Sequence, residues 1–205
     1  MSEGSASASL RGIMKPSQSV PILAALAALT TTASAAIIQF DISPASFGDN
    51  TTGLSGPNEA PTNASPATGN EFGAGISLDD ATQSLTLIFA YGSAFGFVDL
   101  TGNFSDSHVH KGADNVAGGV QFGINGLHTP SGTKSGSYSG TVGLSAGQQA
   151  DLLAGLLYIN IHSSTFGGGE IRGQLVQVVP EPASAVLLLS GAVAVLGLRR
   201  RRTAN

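Results

Sequence analysis

The sequence predicts an all-β domain, a Greek-key-like β-sandwich or barrel of about seven or eight strands with one short helix, flanked by a signal peptide and a C-terminal apolar helix. Three observations carry this expectation. Glycine-rich and Ser/Thr-rich stretches interrupt residues 36–179 at short intervals, and the whole chain holds 28 glycines. Between those interruptions apolar residues alternate with polar ones, the period of a half-buried strand. The 205 residues include no cysteine, which excludes a disulfide scaffold, a thiolate metal site and a thiol nucleophile. The 144 residues of 36–179 suffice for a core without such staples.

The expected strands are 37–42, 71–78, 84–91, 95–104, 116–124, 137–144, 156–162 and 170–178. Residues 79–83 read as a hairpin turn, because Asp and Thr satisfy turn backbone groups locally. Residues 57–68 hold three prolines and no apolar period, and read as a surface loop. Residues 145–155 form the one expected helix: Ser145 with Gln148 is a capping-box pattern, and Leu152, Leu153 and Leu156 share a face. Gly143-Leu144-Ser145-Ala146-Gly147 also matches the G-x-S-x-G pattern of serine hydrolases, with Asp151 and His162 following. That elbow needs a parallel sheet, and here the acid would share a short helix with the serine, so serine hydrolysis is set aside.

The two ends read as addresses. Arg11 and Lys15 precede an apolar run at 20–29, and Ala33 and Ala35 supply the small residues that signal peptidase requires. Residues 1–35 are therefore expected to be removed on export, with Met14 a candidate start. At the other end Pro180, Glu181 and Pro182 precede an apolar run at 183–198, then Arg199, Arg200, Arg201 and Arg202. That run is just long enough to cross a thin bilayer, and the arginines fix its end in the cytoplasm. The expected mature domain, 36–179, carries eleven acids against three bases. This balance repels phosphate backbones and argues against nucleic acid as a partner.

Three clusters carry candidate chemistry. In His108-Val109-His110, the two imidazoles would lie on one side of a strand, about 6.6–7 Å apart, and could converge on a metal. In Tyr158-Ile159-Asn160-Ile161-His162, the isoleucines would face the core and leave Tyr158, Asn160 and His162 in a row opposite. In Glu170-Ile171-Arg172-Gly173-Gln174, the polar row is Glu170, Arg172 and Gln174. Pairing the last two strands as a hairpin through 163–169 sets Glu170 near His162 and Arg172 near Asn160. Two readings stay open. His108, His110 and His162, with Glu170, could hold zinc or copper(II). Alternatively Tyr158, Asn160, Arg172 and Gln174 form a hydrogen-bonded polar ladder in which Arg172 pairs with Glu170. His128, in a glycine- and proline-flanked stretch, reads as an exposed loop histidine.

The tail resembles the PEP-CTERM sorting signal of Gram-negative bacteria: Pro180-Glu181-Pro182, the apolar run and the arginine cluster stand in order over the final 26 residues. The resemblance implies processing by an exosortase-type enzyme, transient anchoring in the membrane, and delivery to the cell surface or an extracellular polysaccharide matrix. Leu54-Ser55-Gly56-Pro57-Asn58-Glu59-Ala60-Pro61, His108-Val109-His110-Lys111-Gly112, the 158–162 row and Gly168-Gly169-Glu170-Ile171-Arg172-Gly173-Gln174 resemble the chordin-type (CHRD) domain. That resemblance implies an extracellular β-sandwich module and supplies no reaction. The His-Val-His run is also similar to the copper site of copper/zinc superoxide dismutase, but four histidines and no cysteine pair depart from that enzyme.

Overall fold

A computed structural model describes residues 36–48 and 51–179. The expected signal peptide, sorting motif and apolar tail lie outside these residues. No helix among the described residues is long and apolar enough to cross a membrane.

Ten strands form the domain: β1 (Ile37–Ile42), β2 (Leu54–Ser55), β3 (Thr68–Asp79), β4 (Ser84–Tyr91), β5 (Phe104–Lys111), β6 (Gly119–Gly123), β7 (His128–Pro130), β8 (Gly136–Gly143), β9 (Leu157–Ser163) and β10 (Ile171–Gln177). One α-helix is found among the described residues, α1 (Ala146–Leu153), between β8 and β9. All strands join one antiparallel sheet in the order β6-β5-β9-β10-β1-β3-β4-β8-β7, with β2 bridging β10 and β3. The two ends of this order come together. Phe104 N–H donates to Thr133 O (2.7 Å) and Leu100 N–H to Lys134 O (3.1 Å). The Phe104 ring also packs 4.1 Å from that of His128. The sheet therefore curls around a single core.

Strand period builds that core. Phe40 and Ile42 of β1, Ile76 and Leu78 of β3, Leu85, Leu87 and Phe89 of β4, Val109 of β5, Ile159 and Ile161 of β9, and Ile171 and Leu175 of β10 are all buried. Each is flanked in its strand by residues that face the other way. The α1 capping box forms as expected: Gln148 N–H donates to Ser145 Oγ (3.3 Å), and Ser145 N–H donates to Gln148 Oε1 (2.9 Å). The turn after β3 is also as expected, with Asp79 Oδ1 accepting from the N–H groups of Ala81 and Thr82.

Four expectations are corrected. The expected strand at 95–104 is instead a 3-10 turn at Ser93–Phe95 followed by irregular chain, and the strand runs over Phe104–Lys111. Gly92 and Gly96, both at positive φ, break the earlier segment. The expected strand at 116–124 begins only at Gly119. Residues 57–68 are not a plain surface loop, because Asn58, Glu59, Ser65 and Ala67 are buried. His128 is not an exposed loop residue; it lies on β7, half-buried, and its Nε2 is 3.0 Å from the Tyr91 hydroxyl.

What positions the site is the second face of β5, β9 and β10. All seven residues of β9 are buried, on both faces. One side meets the apolar core, and the other is roofed by polar segments around residues 56–67, 112–118 and 164–169.

Candidate metal centre

The β9–β10 register pairs Arg172 with Asn160 and Gln174 with Tyr158, as the sequence predicts. The β5–β9 register then sets Asp106 opposite His162, His108 opposite Asn160 and His110 opposite Tyr158. Val109 points into the core, so His108 and His110 stand together on the roofed face, with His162 diagonal to His108. One nitrogen of each of the three imidazoles lies within 4.8 Å of the others.

The remaining nitrogen of each ring is occupied by an acceptor that cannot itself donate. His110 Nδ1 lies 2.9 Å from Gly118 O, and His162 Nδ1 lies 3.0 Å from Gly167 O. His108 Nε2 lies 3.2 Å from the Asp106 carboxylate. A carbonyl or carboxylate oxygen accepts only, so each of these nitrogens must carry the ring proton. In a neutral ring the inward nitrogen, His108 Nδ1, His110 Nε2 or His162 Nε2, is then a lone pair. His110 Nε2 is buried with no hydrogen-bond partner, and His108 Nδ1 faces His162 Nε2 across 3.3 Å. That contact needs a positive centre between the two nitrogens, either a proton on one of them, which makes a hydrogen bond, or a metal ion. Nitrogens bound tetrahedrally to a zinc ion at about 2.0–2.1 Å stand about 3.3 Å apart. Outward N–H groups tied to carbonyl or carboxylate oxygens are the usual support of metal-bound histidines.

The electrostatics favour neutral His110 and His162 rings. Burial pushes the His110 and His162 imidazoles below the usual histidine range, against their carbonyl hydrogen bonds, and the neighbouring histidine charges push the same way. Burial pushes Asp106 up, but bonds from Asn125 and Ser107 and the charges of His108 and His162 outweigh it and hold the carboxyl low. A deprotonated Asp106 is the form that accepts from His108. The His108 side chain remains 22% exposed, so the site opens on its side.

Two further contacts fix the centre. The Tyr158 ring stacks on His110 (centroids 5.2 Å apart, 17° between planes), and the Arg172 guanidinium lies 3.6 Å from the centre of the Tyr158 ring. The Tyr158 hydroxyl accepts from Gly118 N–H at 3.0 Å, and Gly118 O accepts from His110, so one residue holds both side chains. A Cβ on Gly118 would meet Lys111 O at 1.6 Å; only glycine lets this loop approach β5 closely enough.

Beside the histidines, Tyr158, Asn160, Arg172 and Gln174 form a buried polar row across β9 and β10. Arg172, 2% exposed, donates to Val116 O (3.1 Å), Ala113 O (2.9 Å) and Gln174 Oε1 (3.1 Å). Gln174 Nε2 donates to Gly112 O (3.0 Å) and Gly155 O (2.7 Å).

Glu170 is not brought into the histidine cluster and does not pair with Arg172. Its Oε1 accepts from Ser65 Oγ (2.7 Å), Thr101 N–H (2.6 Å) and Thr101 Oγ1 (2.8 Å). It therefore pins the 65 and 101 segments to the sheet. Burial pushes its carboxyl up, but bonds from Ser163, Thr101 and Ser65 outweigh that and keep it low. Ser145, Asp151 and His162 form no triad: Ser145 caps α1, and Asp151 pairs with Lys111 at 2.9 Å.

Sequence reasoning passed over Asp106, and met Glu59 only within the run that resembles the CHRD domain. Asp106 stands two residues before His108, on the same side of one strand, and that spacing was its signal. Glu59 had no local signal, because its neighbours come from β9 and β10.

An antiparallel β-domain with one buried polar face and a histidine triad is the class these features define. The family model described as CHRD domain matches residues 51–175. The chain belongs to the CHRD domain family, a module of secreted and extracellular proteins. Neither the curated proteins nor the solved structures return a match.

Proposed function

We propose that this protein is an exported surface module whose CHRD domain holds a zinc or copper(II) ion through His108 Nδ1, His110 Nε2 and His162 Nε2. The observation that carries the reading is the set of outward hydrogen bonds. All three are committed to acceptor-only oxygens, which turns the three remaining nitrogens toward one another, within 4.8 Å. Imidazole nitrogens suit zinc and copper(II). The test is elemental analysis of the protein before and after incubation with zinc and with copper, beside His162→Ala. Near-stoichiometric metal in the parent, lost in the variant, is expected; no retained metal in the parent would overturn the reading.

We further propose that export and display follow from the two ends. Signal peptidase removes residues 1–35, and the tail holds the chain in the membrane until an exosortase-type enzyme cleaves near Pro180, Glu181 and Pro182 and releases it to the surface matrix. The ordered tripeptide, apolar run and arginines support this. Mass spectrometry of the mature C-terminus tests it; a chain retaining Arg199 to Arg202 would contradict it.

A further inference from the structure

Both ends of the described domain leave from one end of the sheet. β1 and β10 run antiparallel with Phe40 opposite Gln177, and past that pair Val178 N–H donates to Gln39 O (2.9 Å). Ile37 and Val179 lie further out on these two adjacent strands. Phe40 and Ile42 face the core, with Ile38 packed against it, so strand period turns Ile37 outward, where a polar residue is usual. Ile37 is 60% exposed, and Val178 and Val179 beside it are 37% and 76% exposed. Ile37, Ile38, Gln39, Gln177 and Val178 line a shallow groove of about 240 Å³ that holds no charged side chain. Leu153 of α1 adds a further exposed apolar residue at this end. It lies one helical turn on from Gln149, whose Nε2 donates to Asp80 O (3.2 Å).

Single exposed apolar residues are ordinary; what sets this group apart is the chain that follows it. Only Pro180, Glu181 and Pro182 separate Val179 from the apolar run at 183–198, and three residues reach at most about 11 Å. As a helix, the 16 residues of that run are about 24 Å long, against a hydrocarbon core of about 30 Å. Arg199 to Arg202 hold the far end at the cytoplasmic surface. The shortfall of about 6 Å is then met by thinning of the bilayer or by drawing the preceding residues inward. Val179 therefore stands at most about 5–11 Å above the hydrocarbon, beside a headgroup layer about 5–7 Å deep. The apolar end of the domain meets the membrane surface and does not clear it. Acidic residues border the group: Asp79 pairs with Ile37, and Asp80 N–H donates to Ala36 O (3.2 Å). Those carboxylates, on a domain with eleven acids against three bases, favour an uncharged lipid surface over an anionic one.

We propose that this end is a membrane-docking face: while the tail holds the chain, Ile37, Val178 and Val179 lie in the headgroup layer of a zwitterionic lipid surface. The opposite end, where Val98 O accepts from Thr68 N–H at the start of β3 (3.1 Å), points away from the membrane. The inference rests on the reading of the tail as a membrane segment and is independent of the metal centre.

The sequence holds no tryptophan, so a single introduced tryptophan reports without background. The full chain carrying Ile37→Trp, Val98→Trp or Val186→Trp is reconstituted in phosphatidylcholine vesicles, with and without lipid brominated on the acyl chain near the headgroup. Ile37 and Val98 are both exposed, so neither substitution disturbs the core. Ile37→Trp emission should shift to the blue and be quenched by the brominated lipid, whereas Val98→Trp should change in neither respect. The Ile37→Trp quenching should be lost when the chain is ended at Val179, which keeps every described residue. It should weaken when phosphatidylglycerol replaces part of the lipid. Val186→Trp reports the tail itself: if it is not quenched, the tail reading and the docking face fall together. With Val186→Trp quenched, four results would overturn the docking face and leave the tail reading standing. These are unquenched Ile37→Trp, equal quenching of Val98→Trp, quenching that survives loss of the tail, and stronger quenching on the anionic vesicles.

Discussion

Replacing Glu59 by Gln should make the protein more stable than wild type, by a margin that opens above about pH 4.5 and levels off above about pH 7. Burial pushes this carboxyl up from 4.5 to about 7, against the pull of Arg172 and the hydrogen bonds from Ala60 and Asn160. The folded state therefore holds the proton more tightly than the unfolded state between those two values. Stability from this group is fully present below about pH 4.5 and is lost as pH rises through about 7. At about 1.4 kcal/mol per unit, the charged form costs the folded state about 3 kcal/mol. Glutamine keeps the shape, can still accept from Asn160 Nδ2, and brings an N–H donor to the unpartnered Asn160 Oδ1. Urea unfolding of metal-free wild type and Glu59→Gln at pH 4.5, 6, 7 and 8 measures the difference. The two curves should nearly coincide at the lowest pH, and the variant should lead by up to about 3 kcal/mol at the highest. His110 and His162, whose folded-state values are depressed, add the opposite slope: stability from them falls as pH drops below the ordinary histidine range. That slope is common to both proteins and cancels in the comparison. A stability difference that does not change with pH would refute the assignment of a desolvated, proton-holding Glu59.

Other perturbations follow from the same geometry. Asp106→Asn keeps a hydrogen-bonding oxygen but removes the charge that holds the His108 ring proton outward. Metal affinity should fall about 10- to 100-fold, as read by competition with a chromophoric chelator, while the thermal midpoint of the metal-free protein changes little. Gly169→Ala would press a methyl carbon to 2.5 Å from three polar atoms at φ +131°. It should destabilise by at least about 2 kcal/mol in urea titration. Arg172→Ala leaves two backbone carbonyls and the Gln174 oxygen without their donor, and strips the cation from Tyr158. A loss of about 3–5 kcal/mol is expected, with increased hydrogen exchange confined first to residues 112–118.

Much of the fold could be read from local pattern, and the failures have a common cause. Ile159 and Ile161 against Ile171 and Leu175 fix which residues face the core, and from that the hairpin register of Arg172 opposite Asn160 follows directly. The α1 start was legible because a capping box is a short-range device. The strand carrying two of the three histidines was misplaced because apolar period cannot find it. Its inward positions include Ser107, 0% exposed and bonded to Asn125 at 2.7 Å, and Val109 is its one buried apolar residue. The neighbouring 95–104 stretch, richer in apolar residues, looked more like a strand, yet Val98 there is 48% exposed. The prolines of 57–68 suggested an exposed loop because the groups it covers, Asn160 and Arg172, are a hundred residues away in sequence. Glu170 resembled a ligand by proximity to His162 on the hairpin. Its carboxyl instead answers donors from Ser65 and Thr101, contacts that hairpin register alone does not contain. The histidine pairing itself was legible, since i and i+2 on one strand must share a side.

The most direct test of the metal centre is X-ray absorption spectroscopy of the zinc-loaded protein, with copper(II) as a second loading. Three imidazole nitrogens at about 2.0–2.1 Å, with the multiple-scattering signature of the rings and one lighter oxygen shell, are predicted. That imidazole signature should be depleted in His162→Ala. A shell of oxygens without imidazole scattering, or an imidazole signal unchanged in the variant, would contradict a site built from His108, His110 and His162.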